Sequence, residues 1–305
     1  MAVVGPGAIG GLIAASLRRS GHKVTVVARD AHAAARLRRR GISVTSRSGR
    51  TRTFRSGLEA VSRLRPGSGW RAVFFCVKSP GIRRAIAAAR PGVGPETVVV
   101  SLLNGLSHVR PLRAAFGRAR TVFGSCYVAS LRTGPAALRH RGGDRIHLAA
   151  TPANRDAAGT AASILASAGW RIRTTPHEER LLWTKLAYNA AVNPLGALLN
   201  MTNRELVEDP AIRELLSAAA KEAAVIARAA GHRPLVPRLE DRVLRDCRAV
   251  PRQYCSMAQD LAAGRVTEAD SILKPLLAAA RRTGTPAPLL APLYRMVKRL
   301  ERSLR

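Results

Sequence analysis

The sequence predicts an α/β fold in two parts, a parallel-sheet domain over residues 1–175 and an all-helical domain over residues 176–305. Three observations support this. The first half alternates short β-branched runs with Ala/Leu/Arg stretches of helical period, the pattern of βαβ units. A glycine-punctuated turn joins the first such run to the first such stretch. From Pro176 onward the β-branched runs give way to long Ala/Leu-rich segments with helical periodicity.

Taken in order, strands are expected at residues 2–4, 23–28, 72–77, 97–102 and 121–125, with helices at 9–19, 31–39 and 81–89 between them. Residues 134–151, with 145–149 at their centre, are polar and Gly-rich and read as an antiparallel addition at the sheet edge. The sheet is expected to end near residues 170–174. Helices follow at 178–199, 209–230, 239–261 (bent at Pro251) and 267–283. Gly or Pro at 231–237, at Gly264 and at 284–288 stands where those helices must stop.

At 305 residues and 47% hydrophobic content, the chain has material for two cores. No apolar run reaches the roughly 18 uncharged residues of a membrane span. The first residues pass straight into a strand without a basic leader or cleavage site, so a soluble cytoplasmic protein with no membrane partner is expected. Cys76, Cys126, Cys247 and Cys255 form no cluster with metal-ligand spacing; free core thiols and no metal are expected.

Lys and Arg number 51 against 19 Asp and Glu, a net charge of +32, and only six of the basic residues are lysines. Such a charge suggests nucleic acid. The arginines, however, are spread in short groups such as 38–40, 110–120 and 295–305 without interleaved aromatics. A general arginine bias accounts for them as well as a binding face does, so no specific nucleic-acid partner is expected, although anionic ligands would be attracted. Because acids are scarce, each one in a motif is more informative.

Gly5-Pro6-Gly7-Ala8-Ile9-Gly10 is a G-x-G-x-x-G placed between strand and helix, the context that a Rossmann-type dinucleotide site requires. Gly5 permits the tight turn, Gly7 leaves room for a pyrophosphate, and Gly10 lets helix and strand pack closely. The pyrophosphate would rest on the helix N-terminus, where unpaired N–H groups and the dipole favour negative charge. Arg29 follows the second strand, where an acidic residue would hold the ribose of NAD; an arginine suits the 2′-phosphate of NADP. The alternative is that Asp30 contacts the ribose and Arg29 is one more surface arginine. Lys78 closes the third strand at the carboxyl edge of the sheet, and there a phosphate or substrate contact stands beside a plain solvated lysine.

In the second domain Lys185, Asn189 and Asn193 recur at i, i+4 and i+8, so one helical stripe carries an amine and two carboxamides amid Ala, Val and Leu. A ligand would explain them; a polar stripe on a surface helix is the alternative. Further on, Ser256 and Glu268 are twelve residues apart, about 120° out of alignment on one unbroken helix, and a break at Gly264 would let them converge. Equally, Glu268 simply opens a helix whose first turn favours an acid.

Together these pieces resemble the ketopantoate reductase (2-dehydropantoate 2-reductase) family over nearly the whole chain. The likeness rests on residues 5–10, on Leu103-Asn104-Gly105, on the run from Trp183 to Pro194, on Asn203-Arg204-Glu205-Leu206, and on Ser256-Met257-x-x-Asp260 followed by Thr267-Glu268. The resemblance implies a Rossmann domain, a helical C-terminal domain, and NADPH-dependent reduction of a branched 2-keto acid in pantothenate synthesis. It makes Lys185 the proton donor and has Asn104, Asn189, Asn193, Asn203 and Ser256 hold the substrate's carboxylate and hydroxyl groups. Glu268 would contact cofactor or reacting centre, Asn104 and Lys78 would line the nicotinamide side, and Ser130 would be a small residue beside the cofactor. There are departures: Leu103 stands where the family often has Gln, Gln253 where Asn is more usual, and Cys255 where Ser is common.

The chemistry suits these residues. Reducing a ketone builds negative charge on its oxygen, which calls for a donor with a proton to give, and Lys185 offers both charge and proton. Amides fix a carboxylate and a hydroxyl without adding charge. Two other readings are a reductase of another 2-keto acid or ketone, and an NADP-sensing or nucleic-acid-associated protein that has no need of a proton donor. A monomer or a homodimer fits the sequence equally.

Overall fold

In the computed structural model, which describes residues 1–67 and 69–303, the chain divides into one unit of Met1–Leu103 with Ser107–Glu178 and another of Asn104–Leu106 with the chain from Glu179 onward. The short segment around Asn104, expected in the first domain, thus goes with the helices. Arg305, the end of the basic group at 295–305, lies outside the described residues.

The first unit runs β1 (Ala2–Val4), α1 (Ala8–Arg19), β2 (Val24–Val27), α2 (Ala31–Arg40), β3 (Ile42–Thr45), β4 (Thr51–Phe54), β5 (Leu58–Val61), β6 (Ala72–Phe75), α3 (Ile82–Ala89), β7 (Val98–Ser101), α4 (Val109–Phe116), β8 (Thr121–Gly134), β9 (Ala137–Ala149), α5 (Arg155–Ser167) and β10 (Arg171–Thr175). Across the sheet the order is β4-β3-β9-β8-β7-β6-β1-β2-β5, with β10 joined to β9. From β5 to β8 every pairing is parallel. Numbered in chain order, these six strands lie 3-2-1-4-5-6, the Rossmann arrangement. Strand order reverses between β1 and β6, and ligands of such sheets bind outside the carboxyl ends at that point. Val3, Val26 and Phe74 are fully buried among Ile13, Leu17, Val100 and Leu165, as expected of strands covered on both faces.

Three features differ from expectation. β3, β4 and β5 lie in a stretch whose Arg, Ser and Thr hide the apolar alternation. Between β3 and β4, hydroxyls pair instead, Ser43 with Thr53 at 2.8 Å and Thr45 with Thr51 at 2.9 Å. The helix α4 was also not foreseen. Finally, β9 does pair antiparallel with β8, but it is not an edge strand. It is long enough for its other flank to take β3 along residues 137–139 and β10 along 145–149.

The second unit is helical: α6 (Glu178–Leu198), α7 (Glu205–Glu208), α8 (Pro210–Ala229), α9 (Leu239–Ala249), α10 (Ser256–Ala262), α11 (Ala269–Thr283) and α12 (Leu290–Ser303). Its core, with Leu186, Ala190, Ala219, Ala223, Leu273 and Leu276, is rich in alanine, so the helices can approach closely. The single bent helix expected at 239–261 is two helices. Pro251, which has no N–H to continue the ladder, falls in a turn pinned from outside. Asn203 N and Arg204 N donate to the carbonyls of Gln253 and Pro251, and Thr202 bridges to Tyr254. The C-terminal α12, concealed by its basic residues, buries Leu290, Leu293 and Val297. Among the described residues no helix is long and apolar enough to cross a membrane.

Candidate active site

Each glycine of the first turn has its own physical reason. Gly5 adopts φ +89°, and a Cβ there would lie 2.5 Å from Val77 Cγ1. Its N–H donates to Val27 O at 3.0 Å and its carbonyl accepts from Gly7 N at 2.8 Å. A Cβ on Gly10 would lie 2.1 Å from the Gly5 carbonyl oxygen and 2.9 Å from Cys76 Cβ. These contacts bring α1 against the carboxyl ends of β1 and β6. At Gly7, by contrast, a Cβ would meet nothing within 4 Å. Gly7 is also the N-cap of α1 and has no side chain with which to close it. The open space and the first N–H groups of α1 together suit an anion. Pro6, Ala8 and Ile9 complete the turn, and the buried Ser130 on β8 donates its hydroxyl to Ala8 O at 3.2 Å.

Arg29 extends from the end of β2 into solvent, with Nε 3.0 Å from Asp30 Oδ2. The other Asp30 oxygen accepts from Ala33 N at 2.7 Å and caps α2. That amide, aided by Arg29, holds the Asp30 carboxyl below its usual range. Both oxygens of Asp30 therefore have partners within the protein, while the guanidinium of Arg29 faces outward. Lys78, expected to close the strand, is exposed three residues beyond β6, and its carbonyl accepts from Gly81 N.

On α6 the Lys185-Asn189-Asn193 stripe faces inward: both asparagines are only 5% exposed, and Lys185 is half-buried. The surface-stripe alternative is thereby overturned. Asn189 Nδ2 donates to Asn104 Oδ1 at 3.1 Å, and Asn104 Nδ2 reaches Glu268 Oε2 at 3.5 Å. Three segments distant in sequence thus meet. Gly105 allows it, since with φ +79° it passes so close to α11 that a Cβ would lie 2.5 Å from Ser271 O. Asn193 Nδ2 is buried without an acceptor among the described residues. An unmade hydrogen bond of this kind costs roughly 1–3 kcal/mol unless a ligand or water completes it.

Glu268 occupies the N-cap position of α11, yet its carboxylate makes no capping bond. Thr267 does that work: its hydroxyl accepts from Ala269 N at 3.0 Å. Thr267 is itself held by the buried Glu301, whose Oε1 accepts from the Thr267 amide at 2.8 Å and from its hydroxyl at 2.5 Å. Glu268 does more than open a helix, because its carboxylate meets the Asn104 amide.

Asn203 and Ser256, also expected to hold substrate, do not join the Asn104, Asn189 and Glu268 hydrogen bonds. The buried Asn203 donates its side-chain amide to Val250 O at 3.1 Å, serving the turn before α10. Ser256 is exposed at the first position of α10. Sequence reasoning gave no role to Tyr188, whose ring centre lies 4.9 Å from Lys185 Nζ; its place three residues after Lys185 was the available signal. Glu301 gave none, as it acts from the far end of the chain.

Residues 1–153 match the family model described as ketopantoate reductase PanE/ApbA, and residues 179–301 match the C-terminal model of that family. The 2-dehydropantoate 2-reductase of Halobacterium salinarum is 26% identical over 308 residues, which cover 98% of each chain. A crystal structure of 2-dehydropantoate 2-reductase from Geobacter metallireducens aligns at TM-score 0.87 and 26% identity, covering 98% of this chain and 99% of that one. D-mandelate dehydrogenase, in a ternary structure with NADH and anilino(oxo)acetate, aligns at TM-score 0.87 with 19% identity over 100% of this chain and 99% of that one. The last likeness is one of fold.

Proposed function

Since the chain belongs to the ketopantoate reductase PanE/ApbA family, we propose that it reduces the ketone of 2-dehydropantoate to pantoate with NADPH, as a cytoplasmic step of pantothenate synthesis. The observation that carries this reading is the buried stripe on α6: Lys185 lies one turn from Asn189, which is joined to Asn104 and through it to Glu268, and beyond it lies Asn193, whose amide has no acceptor among the described residues.

A ketone becoming an alcohol must receive a proton on oxygen, and Lys185 is the group in this cluster that carries one to give. Its positive charge also stabilises the oxygen as negative charge develops there. Asn193 offers a desolvated N–H to a substrate carboxylate or hydroxyl, whose binding would relieve the cost of leaving it unpaired. Asn189 and Asn104 fix one another, so their remaining donor and acceptor capacity has a set direction before substrate arrives. Asn203 and Ser256 are assigned to the substrate by family likeness, as are Lys78 and Asn104 to the nicotinamide side. NADPH, when bound, supplies the reducing equivalent. The turn from Gly5 to Gly10, with Ser130 against it, would hold its pyrophosphate, and Arg29 its 2′-phosphate.

A second reading is reduction of a different 2-keto acid. It is favoured by Gln253, whose buried Oε1 finds no donor among the described residues at a position where the family more often has Asn. The test is NADPH oxidation by the purified protein, followed by absorbance, with 2-dehydropantoate beside a panel of 2-keto acids. Highest kcat/KM on 2-dehydropantoate is expected. Turnover of another acid without it moves the assignment to the second reading, and turnover of none sinks both. In the same assay Arg29→Ala should raise KM for NADPH roughly tenfold or more, the scale of a charge-assisted contact, with little change for NADH. Equal effects on the two cofactors would overturn the choice of NADP.

A further inference from the structure

We infer that Tyr188 is a positioning residue that seats the Lys185 ammonium against the face of its ring. The inference rests on the reading of Lys185 as proton donor.

Lysine is poorly suited to exact placement: its charge sits at the end of a flexible four-carbon stem with three rotatable donors. Proton transfer in the transition state nonetheless requires heavy atoms within hydrogen-bond reach. Something must therefore restrict the stem. Residues three apart on a helix are surface neighbours, and Tyr188 stands three after Lys185. Lys185 Nζ lies 4.9 Å from the Tyr188 ring centre, inside the range of about 6 Å over which a ring face attracts a cation.

The ring can do this because it is itself fixed. It packs against the core of the helical unit, which includes the fully buried Cys247 of α9. The ring is thus seated against the helical core while a face addresses the amine. The choice of an aromatic has a chemical consequence. A carboxylate partner would hold the ammonium by accepting one of its N–H groups, whereas a ring attracts the charge through its quadrupole and takes no N–H in a directed bond. It restrains the stem without using a donor that the ketone oxygen needs. Tyr188 adjoins Asn189, so the same turn of α6 that directs the amide also directs the amine.

The test uses the full chain, with NADPH and 2-dehydropantoate in steady state, and compares Tyr188→Phe, Tyr188→Leu and Tyr188→Met. Tyr188→Leu and Tyr188→Met fill the volume without a ring face. They should lower kcat by roughly 3- to 30-fold, the range of a cation–π contact, and leave KM for NADPH unchanged. Tyr188→Phe keeps the face and should retain kcat. In a Lys185→Ala background, Tyr188→Leu should have no further effect on the residual rate, because the interaction it removes is already gone. Wild-type kcat in both apolar variants would overturn the inference, as would Phe falling as far as Leu. So would a further loss from Tyr188→Leu in the Lys185→Ala background, which marks a structural role. Met stands in where Leu fails to fold. If Lys185→Ala itself leaves kcat unchanged, the proton-donor reading fails first, and that result is distinct from a silent Tyr188→Leu beside an effective Lys185→Ala.

Discussion

At the turn after β1 the working groups are backbone amides exposed by what glycine lacks, whereas on α6 they are side chains carried into the interior at an energetic cost. The first arrangement depends on close approach: Gly5 and Gly10 allow backbone to pack on backbone, and Gly7 leaves space. The second depends on satisfaction: Asn189, Asn104 and Glu268 serve one another, and Asn193 Nδ2 has no acceptor among the described residues. A site made of backbone is hard to separate from the fold that holds it. A site made of side chains can be dismantled one group at a time with the fold intact.

Lys185→Ala should give the largest separation of the two properties. Loss of a general acid lowers kcat by roughly 10²- to 10⁴-fold, while truncating a half-buried side chain should move Tm by only a few degrees. A kcat within threefold of wild type would remove Lys185 from the chemistry, and a collapse of Tm would make it a structural residue.

The glycines sharpen the same contrast within one motif. Gly10→Ala sets a methyl group 2.1 Å from a backbone oxygen, and a clash of that kind should cost about 2–4 kcal/mol in urea unfolding. Gly7→Ala meets nothing, so stability should hold while NADPH binding, read by titration calorimetry, weakens. Equal stability losses in the two variants would show that the space beside Gly7 is not reserved for a ligand.

The difference between the sites also explains how legible each was. The glycine turn is contiguous, and its glycines are placed by local backbone geometry, so six residues of sequence carry it. The α6 stripe was legible as a period, but whether it faced solvent or interior depended on what packs over it. The meeting of Asn104, Asn189 and Glu268 comes from three separate segments and is invisible to spacing. Gly105 was the one local hint, as a glycine whose φ permits the approach. In the fold, the parallel strands β1, β2, β6 and β7 stood out because they are buried throughout and therefore mostly apolar, whereas the parallel edge strand β5, with Glu59 exposed, did not. The hairpin of β3 and β4 did not, because paired hydroxyls replace apolar alternation there. Likewise α12 was obscured by arginines and lysines on a helix whose inner face is Leu290, Leu293 and Val297.

Asn193→Leu separates cost from use in the helical unit. The substitution removes a buried donor that lacks an acceptor among the described residues and keeps the volume close, so stability should stay level or rise by about 1 kcal/mol. Activity should move the other way, with kcat/KM for the keto acid falling roughly tenfold or more as a contact to substrate is lost. A stability loss above about 2 kcal/mol would mean that the amide has a structural partner after all.

The smallest effect tests the support behind Glu268. Burial works to raise the Glu301 carboxyl, but the hydrogen bonds from Lys298 and Thr267 outweigh it and hold the group below its ordinary value of 4.5. A carboxyl depressed in the folded state contributes stability that is fully present above its unfolded value and is lost as pH falls through the folded one. Glu301→Gln keeps an acceptor for Thr267 but gives up the charge, so the variant should be less stable at neutral pH by about 1 kcal/mol. The gap between variant and wild type should close as pH drops below 4.5. Urea unfolding across that range reads both. A gap that persists undiminished in acid would mean that Glu301 contributes by packing and hydrogen bonding alone. In that case the capping of α11 by Thr267 beside Glu268 would owe nothing to its charge.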